Sequence, residues 1–239
     1  MIPQSKGKMF LSDERGCSEL EWFRSCHTFN FGKYQHEHKT PFGALYVLNE
    51  DTLAEGSRIS MEVETDSAIV LIPVVGTIAW KVGPVHEGMV EAGQAQVVQA
   101  PAGISVQIAN PYEDTPVKYL QLWIKTNCGP ATVGSRLFPF NLEASPNKLV
   151  EAFGPLWDIL SATNIGFAGV IGKFAGREET VYKMKNPAYG LFAFVLQGAF
   201  EVQYRLLHAG DGLGLWELPE IDLEALSNDA IILFLEVSV

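Results

Sequence analysis

Cysteine is scarce in this 239-residue chain: Cys17, Cys26 and Cys128 are the whole set, an odd number at no regular spacing. That excludes a disulfide scaffold and suits a reducing compartment. No apolar run approaches the roughly 20 residues that span a bilayer, so no membrane helix is expected. The opening residues carry lysines with no apolar stretch behind them, and no secretory signal is expected either. Basic residues are outnumbered, 17 Lys and Arg against 28 Asp and Glu, for a net charge of -11. An acidic surface repels phosphate backbones and no compact basic stripe offsets it, which excludes nucleic-acid binding by the bare chain. What is present is apolar material. With 47% hydrophobic and 19% charged residues, the chain has enough for a sizeable core and too much for disorder. The expectation is a cytoplasmic, acidic globular protein with neither a membrane nor a nucleic acid as partner.

Short alternating runs dominate. Residues 44–48 read as a strand, ended by Asn49-Glu50-Asp51 as a turn. Ile59, Met61 and Val63 then alternate strictly with Ser60, Glu62 and Glu64, apolar on one face and polar on the other. Further runs cover 68–75, 77–82, 94–99, 104–109 and 117–124, each bounded by Gly, Pro or Asn. The β rhythm resumes over 167–173, 179–184, 189–195, 200–206, 213–217 and 231–237. Strands this short at near-regular spacing predict an all-β barrel or sandwich architecture. Between the two sets lie Gly129-Pro130, Pro139 and Ser145-Pro146, then one helical pattern of Leu149, Val150, Phe153, Leu156, Trp157 and Leu160. The expected organisation is two β domains in series, 1–128 and 165–239, joined over 129–164 by a short helical connection.

Trp22-Phe23-Arg24-Ser25-Cys26-His27-Thr28-Phe29-Asn30-Phe31 resembles the N-terminal signature of the pirin family, W-F-D-S-W-H-T-F-S-F. Phe42-Gly43-Ala44-Leu45-Tyr46-Val47-Leu48-Asn49-Glu50-Asp51 is similar to the next pirin segment, F-G-x-L-R-V-I-N-E-D. Gly76-Thr77 falls where the family has E-G-T, and Gln121-Leu122-Trp123-Ile124 where it has Q-I-W-I. Asp211-Gly212-Leu213-Gly214-Leu215-Trp216 resembles the D-G-L-A-I-W of bacterial pirin-like bicupins. The likeness recurs in order through both halves. It implies two tandem cupin domains, each a jelly-roll β-barrel, in keeping with the strand rhythm.

The resemblance also implies a metal. Typical pirins hold a divalent transition metal, usually iron, in the N-terminal barrel, and some are dioxygenases acting on flavonols such as quercetin. Their ligands are an H-x-H pair before the E-G-T turn and an H-x-E pair before an N-P. Residues i and i+2 of a strand share a face, so two such pairs supply four donors of a kind suited to Fe(II). Aligned without gaps from Gly56 to Gly76, this chain has Glu62 and Glu64 at the first pair. Aligned on Gly103-Ile104 and Asn110-Pro111, it has Val106 and Ile108 at the second. Valine and isoleucine have no lone pair to donate. The usual metal site is therefore expected to be absent, with Glu62, Glu64, Val106 and Ile108 lining the barrel as former ligand positions and no metal cofactor. Glu62 and Glu64 would then meet solvent or a buried basic partner, floor a polar pocket suited to acid/base work, or hold a hard cation with waters.

Other chemistry-bearing residues read as ordinary. His36-Glu37-His38 has ligand spacing, but it falls in an expected loop with no second donor pair in view. His27 belongs to the signature and reads as a packing or hydrogen-bonding residue; His86 and His208 read as surface turns. Cys26 and His27 are adjacent, and neighbours on a strand face opposite ways, which argues against a nucleophile–base dyad. Gly210, Gly212 and Gly214 lack the spacing and the βα unit of a dinucleotide fingerprint. The C-terminal half has no His/Glu cluster and reads as structural. The expected function is a pirin-like bicupin without redox catalysis, binding a small molecule in its N-terminal barrel or a protein partner. The alternative is a metal-dependent, quercetinase-like dioxygenase rebuilt around Glu62 and Glu64.

Overall fold

The computed structural model describes residues 5–126, 134–154 and 166–239. Among them are twenty-one strands and one short 3-10 turn, Ser12–Glu14, so the fold is all-β as the strand rhythm predicts. No helix among the described residues is long and apolar enough to cross a membrane. The strands form two compact units.

One unit is built on Gly16–Phe140. Its seven-stranded sheet runs, in spatial order, Gly134–Pro139, Gln94–Ala100, Ser67–Val75, Val117–Lys125, Leu45–Leu53, Phe23–His27 and Gly16–Leu20. Its four-stranded sheet runs Arg58–Glu62, Ser105–Ala109, Thr77–Val82 and His86–Glu91. Val47, Ile69, Tyr119 and Trp123 of the first sheet and Ile78, Trp80, Val106 and Ile108 of the second share one buried cluster. Each large apolar side chain buried this way contributes roughly 1.5–3 kcal/mol, which is what closes two sheets into a barrel.

The other unit combines the residues up to Arg15 with Asn141–Ala152 and Gly166–Val239. Its six-stranded sheet runs Gly7–Phe10, Gly212–Leu215, Gly190–Gln197, Ala230–Val237, Ala168–Phe174 and Lys148–Phe153. Its four-stranded sheet runs Glu179–Lys183, Glu220–Ala225, Ala199–Val202 and Arg205–His208. The core is rich in phenylalanine, with Phe174 and Phe200 edge to face at 5.9 Å. Because Gly7–Phe10 pairs with Gly212–Leu215, the opening segment is built into this unit and not into the first, where a boundary at 128 would put it.

Gly76 and Gly198 play matching parts in the two units. Each follows a long strand at a φ of +82° or +77°, and a Cβ there would come within 2.9 Å of Val117 or 2.3 Å of Ser227. Only glycine fits such a turn without strain.

Several local expectations are corrected. Lys148–Phe153 is a strand, not the start of a helix: Ala152 and Phe153 are buried, Leu149 packs on the core, and pairing at a sheet edge outweighs the local helical period. Leu156, Trp157 and Leu160 lie outside the described residues. Asn49-Glu50-Asp51 is the middle of Leu45–Leu53 and not a turn. The run 200–206 is two strands joined by Gln203 and Tyr204, whose φ values of 46° and 61° give the two-residue hairpin turn that suits strand twist. His86 opens a strand opposite Val82, and His208 closes one opposite Ala199, so neither sits in a turn.

Candidate functional site

Directly opposed residues of an antiparallel pair point to the same face of the sheet. Met61 stands opposite Val106, and Ile59 opposite Ile108. Val63, Val106 and Ile108 are fully buried, and Ile59 and Met61 pack against the same core. Glu62 stands opposite Ser105, and both are exposed, as is Glu64. Val106 and Ile108 therefore line the barrel, whereas Glu62 and Glu64 do not. The correction has a simple cause. A strand side chain alternates between faces, so a gap-free alignment that is one residue out of step moves a pair from the interior to the outside.

The inward positions of these two strands are thus Ile59, Met61, Val63, Val106 and Ile108. A divalent transition metal wants imidazole, carboxylate or thiolate donors, and one thioether among aliphatic side chains does not fit it. Among the described residues, no three His, Cys, Asp or Glu side chains are grouped so as to hold a metal ion. His36 and His38 lie on an exposed loop, their rings 5.5 Å apart, with His38 Nε2 3.3 Å from the Glu37 carboxylate.

Polar chemistry in this barrel sits on the larger sheet. His27, Asn49 and Gln121 align across three neighbouring strands, and Ser25, Asp51 and Tyr119 form the next row. All six are buried. Gln121 donates from Nε2 to Asp51 and accepts the Trp123 indole N–H at 2.9 Å. Burial first, then the charge of Asp51 in the same row, push the Tyr119 phenol well above the usual tyrosine range. His27 is held at both ring nitrogens, 2.8 Å from Ser18 Oγ and 3.2 Å from Ser25 Oγ, with its ring centroid 5.0 Å from that of Phe31. Among the described residues, the buried side-chain groups without a hydrogen-bond partner include the Asn49 carboxamide, the Tyr119 hydroxyl, the Thr28 hydroxyl and the Trp80 indole N–H of the smaller sheet. Buried polar atoms left in that state bind water or a ligand, or else are costly.

Reading Asn49 to Asp51 as a turn hides this network. The signal that reveals it is the alternation Val47, Asn49, Asp51, Leu53, which puts two polar residues on an otherwise apolar inward face.

A pirin family model matches residues 11–124, and a quercetinase C-terminal cupin domain model matches residues 169–237. The chain belongs to the pirin family and is a two-domain cupin. A pirin-like protein of Caulobacter vibrioides is 27% identical over 225 residues, 92% of this chain and 95% of that one. A quercetin 2,3-dioxygenase of Escherichia coli is 29% identical over 113 residues, 47% of this chain and 49% of that one. The crystal structure of the bacterial pirin YhhW from Escherichia coli in complex with nickel(II) superposes with a TM-score of 0.82 at 20% identity, covering 98% of this chain and 99% of that chain.

Proposed function

We propose that this chain is a pirin-family bicupin whose N-terminal barrel has lost the divalent metal site of its family, and that it acts as a small-molecule-binding module and not as a metal-dependent dioxygenase. The observation that carries this reading is the face occupied by each residue of the two candidate ligand strands. Ile59, Met61, Val63, Val106 and Ile108 take the inward positions, while the carboxylates of Glu62 and Glu64 point out. An apolar wall with a few convergent polar groups is what a small, mostly apolar ligand needs, and the Asn49 carboxamide and Trp80 indole N–H are the polar groups it would meet.

The test is elemental analysis of untagged protein purified without added metal, with native mass spectrometry and oxygen uptake on quercetin run on the same sample. Less than ~0.1 metal per chain, no quercetin-dependent oxygen uptake and a bound small molecule are the expected results, since a working site binds tightly enough to purify with the chain. Near-stoichiometric iron, nickel, cobalt, manganese or zinc together with oxygen uptake overturns the proposal. Loss of that metal in Glu62→Gln with Glu64→Gln would then establish the alternative, a dioxygenase rebuilt around those two residues.

A further inference from the structure

The edge hairpin formed by Gly16–Leu20 and Phe23–His27 carries chemistry on the face away from His27. Cys17 stands directly opposite Cys26, and their sulfurs are 3.2 Å apart, in a thiol–thiol hydrogen bond to which either can donate. Opposed residues of antiparallel strands have Cα atoms about 4.5–5.5 Å apart, inside the ~4.4–6.8 Å that a disulfide spans. No backbone movement is needed to join them. Cys17 is exposed and Cys26 is half-buried, so a small oxidant can reach the pair.

A basic side chain shares the face with the pair. Arg24 lies two residues before Cys26 on the same strand, hence on the same face, and Cys26 first, then Cys17, raise the pKa of its guanidinium. Of the acids nearby, Glu19 stands opposite Arg24, and Glu50, opposite Cys26, is held by Lys118. The thiolate is the form of a cysteine that reacts. In the first pirin signature this chain has Arg24 where the family has aspartate and Cys26 where it has tryptophan. Both departures fall on the face that carries Cys17.

We propose that Cys17 and Cys26 form a redox modification site, in which a peroxide converts the pair reversibly to an intramolecular disulfide. The Cys17 thiolate attacks one peroxide oxygen, breaking the O–O bond and forming a sulfenic acid, and the departing hydroxide takes up a proton to become water. The Cys26 sulfur then attacks the sulfenic sulfur, the S–S bond forms, and the hydroxyl leaves with the second thiol proton as another water. Two thiols lose two electrons and one hydrogen peroxide gains them; a dithiol reductant reverses the change. The inference is independent of the proposed binding role, because the pair faces away from the barrel interior.

The experiment treats the reduced full-length chain with hydrogen peroxide, followed by thiol counting and mass mapping of an unreduced digest. Free thiols fall from the three of the sequence to one, the Cys17 and Cys26 peptides appear joined, and a dithiol restores both. The Cys26→Ser chain stops at a Cys17 sulfenic acid that dimedone traps, and Cys128→Ser leaves the cross-link unchanged. Three free thiols after treatment, independent over-oxidation of the two cysteines, or mapped cross-links that include Cys128 would each overturn the proposal. Each of those readouts is made on the unaltered chain, so none depends on a variant folding.

Discussion

Met61 and Val106 face each other across neighbouring strands and both point into the N-terminal barrel, which leaves Glu62, one residue on, pointing out beside Ser105. That one-residue relationship decides how the barrel is read, because a strand offers its partner only every second side chain.

Exchanging residues on the two faces should have opposite consequences. Glu62→Gln with Glu64→Gln changes stability by no more than about 0.5 kcal/mol, as exposed positions usually do. Ile108→Glu restores the carboxylate of the family pattern but strands it in an apolar wall, at a cost of about 3–5 kcal/mol. Urea denaturation of the two variants measures the contrast. An Ile108→Glu chain as stable as the parent would mean that donors or water already stand near that position.

The rows His27–Asn49–Gln121 and Ser25–Asp51–Tyr119 make a second prediction. Asp51→Ala removes the acceptor of the Gln121 carboxamide and leaves that donor buried without it, costing about 1–3 kcal/mol. Asp51→Asn keeps one carbonyl oxygen and should cost less. Equilibrium unfolding followed by Trp fluorescence suits the purpose, because Trp123 hangs from the same network through Gln121. Equal loss in both variants would show that charge, and not acceptor capacity, holds the rows together.

Much of this architecture is legible in the letters, and where it is not the reasons are physical. Turn glycines such as Gly76 and the alternation of Ile59, Met61 and Val63 mark strands and faces directly. The letters that carry the pirin likeness, Asn49, Asp51, Gln121 and Trp123, meet across two adjacent strands in one buried cluster, yet read singly as turn and strand residues. Gln203 and Tyr204 form a two-residue hairpin without the Asn-Gly or Asp-Gly chemistry that announces one. Gly7–Phe10 finds its partner, Gly212–Leu215, some two hundred residues later, a pairing no local window contains. The alternation of Ile59, Met61 and Val63 with Ser60, Glu62 and Glu64 carries the faces of both glutamates, which an alignment without gaps does not weigh.

Alkaline stability should follow the buried tyrosines. Burial raises the Tyr119, Tyr182 and Tyr46 phenols above their usual range; Asp51 adds to the effect at Tyr119, and a 2.6 Å hydrogen bond to Glu236 adds to it at Tyr182. A raised folded-state value favours the neutral phenol in the fold. The stability these groups give is therefore full below the unfolded value of about 10 and is lost as pH rises past it, because the unfolded chain ionises first. In a phenolate absorbance titration, Tyr119→Phe and Tyr182→Phe should remove amplitude only from the step that accompanies unfolding. Amplitude lost before that step would mean the phenol is open to water in the folded chain.

The C-terminal unit carries a repulsion that can be relieved. Glu179, Glu224 and Glu201 stand directly opposite one another across three strands, and Arg177, 3.0 Å from Glu224, is the cation paired with the middle one. Like charges placed so are destabilising by about 0.2–1 kcal/mol per pair, and an opposite charge there is favourable by a similar amount. Glu201→Lys should therefore raise the thermal midpoint by a few degrees, and Arg177→Ala should lower it. Both differences should shrink in 1 M salt, where charges are screened beyond about 3 Å. If the lysine variant gains nothing at low salt, solvent already screens the row and its charge is free to serve another purpose. A gain that survives high salt would instead assign the effect to packing of the longer side chain against its strand neighbours.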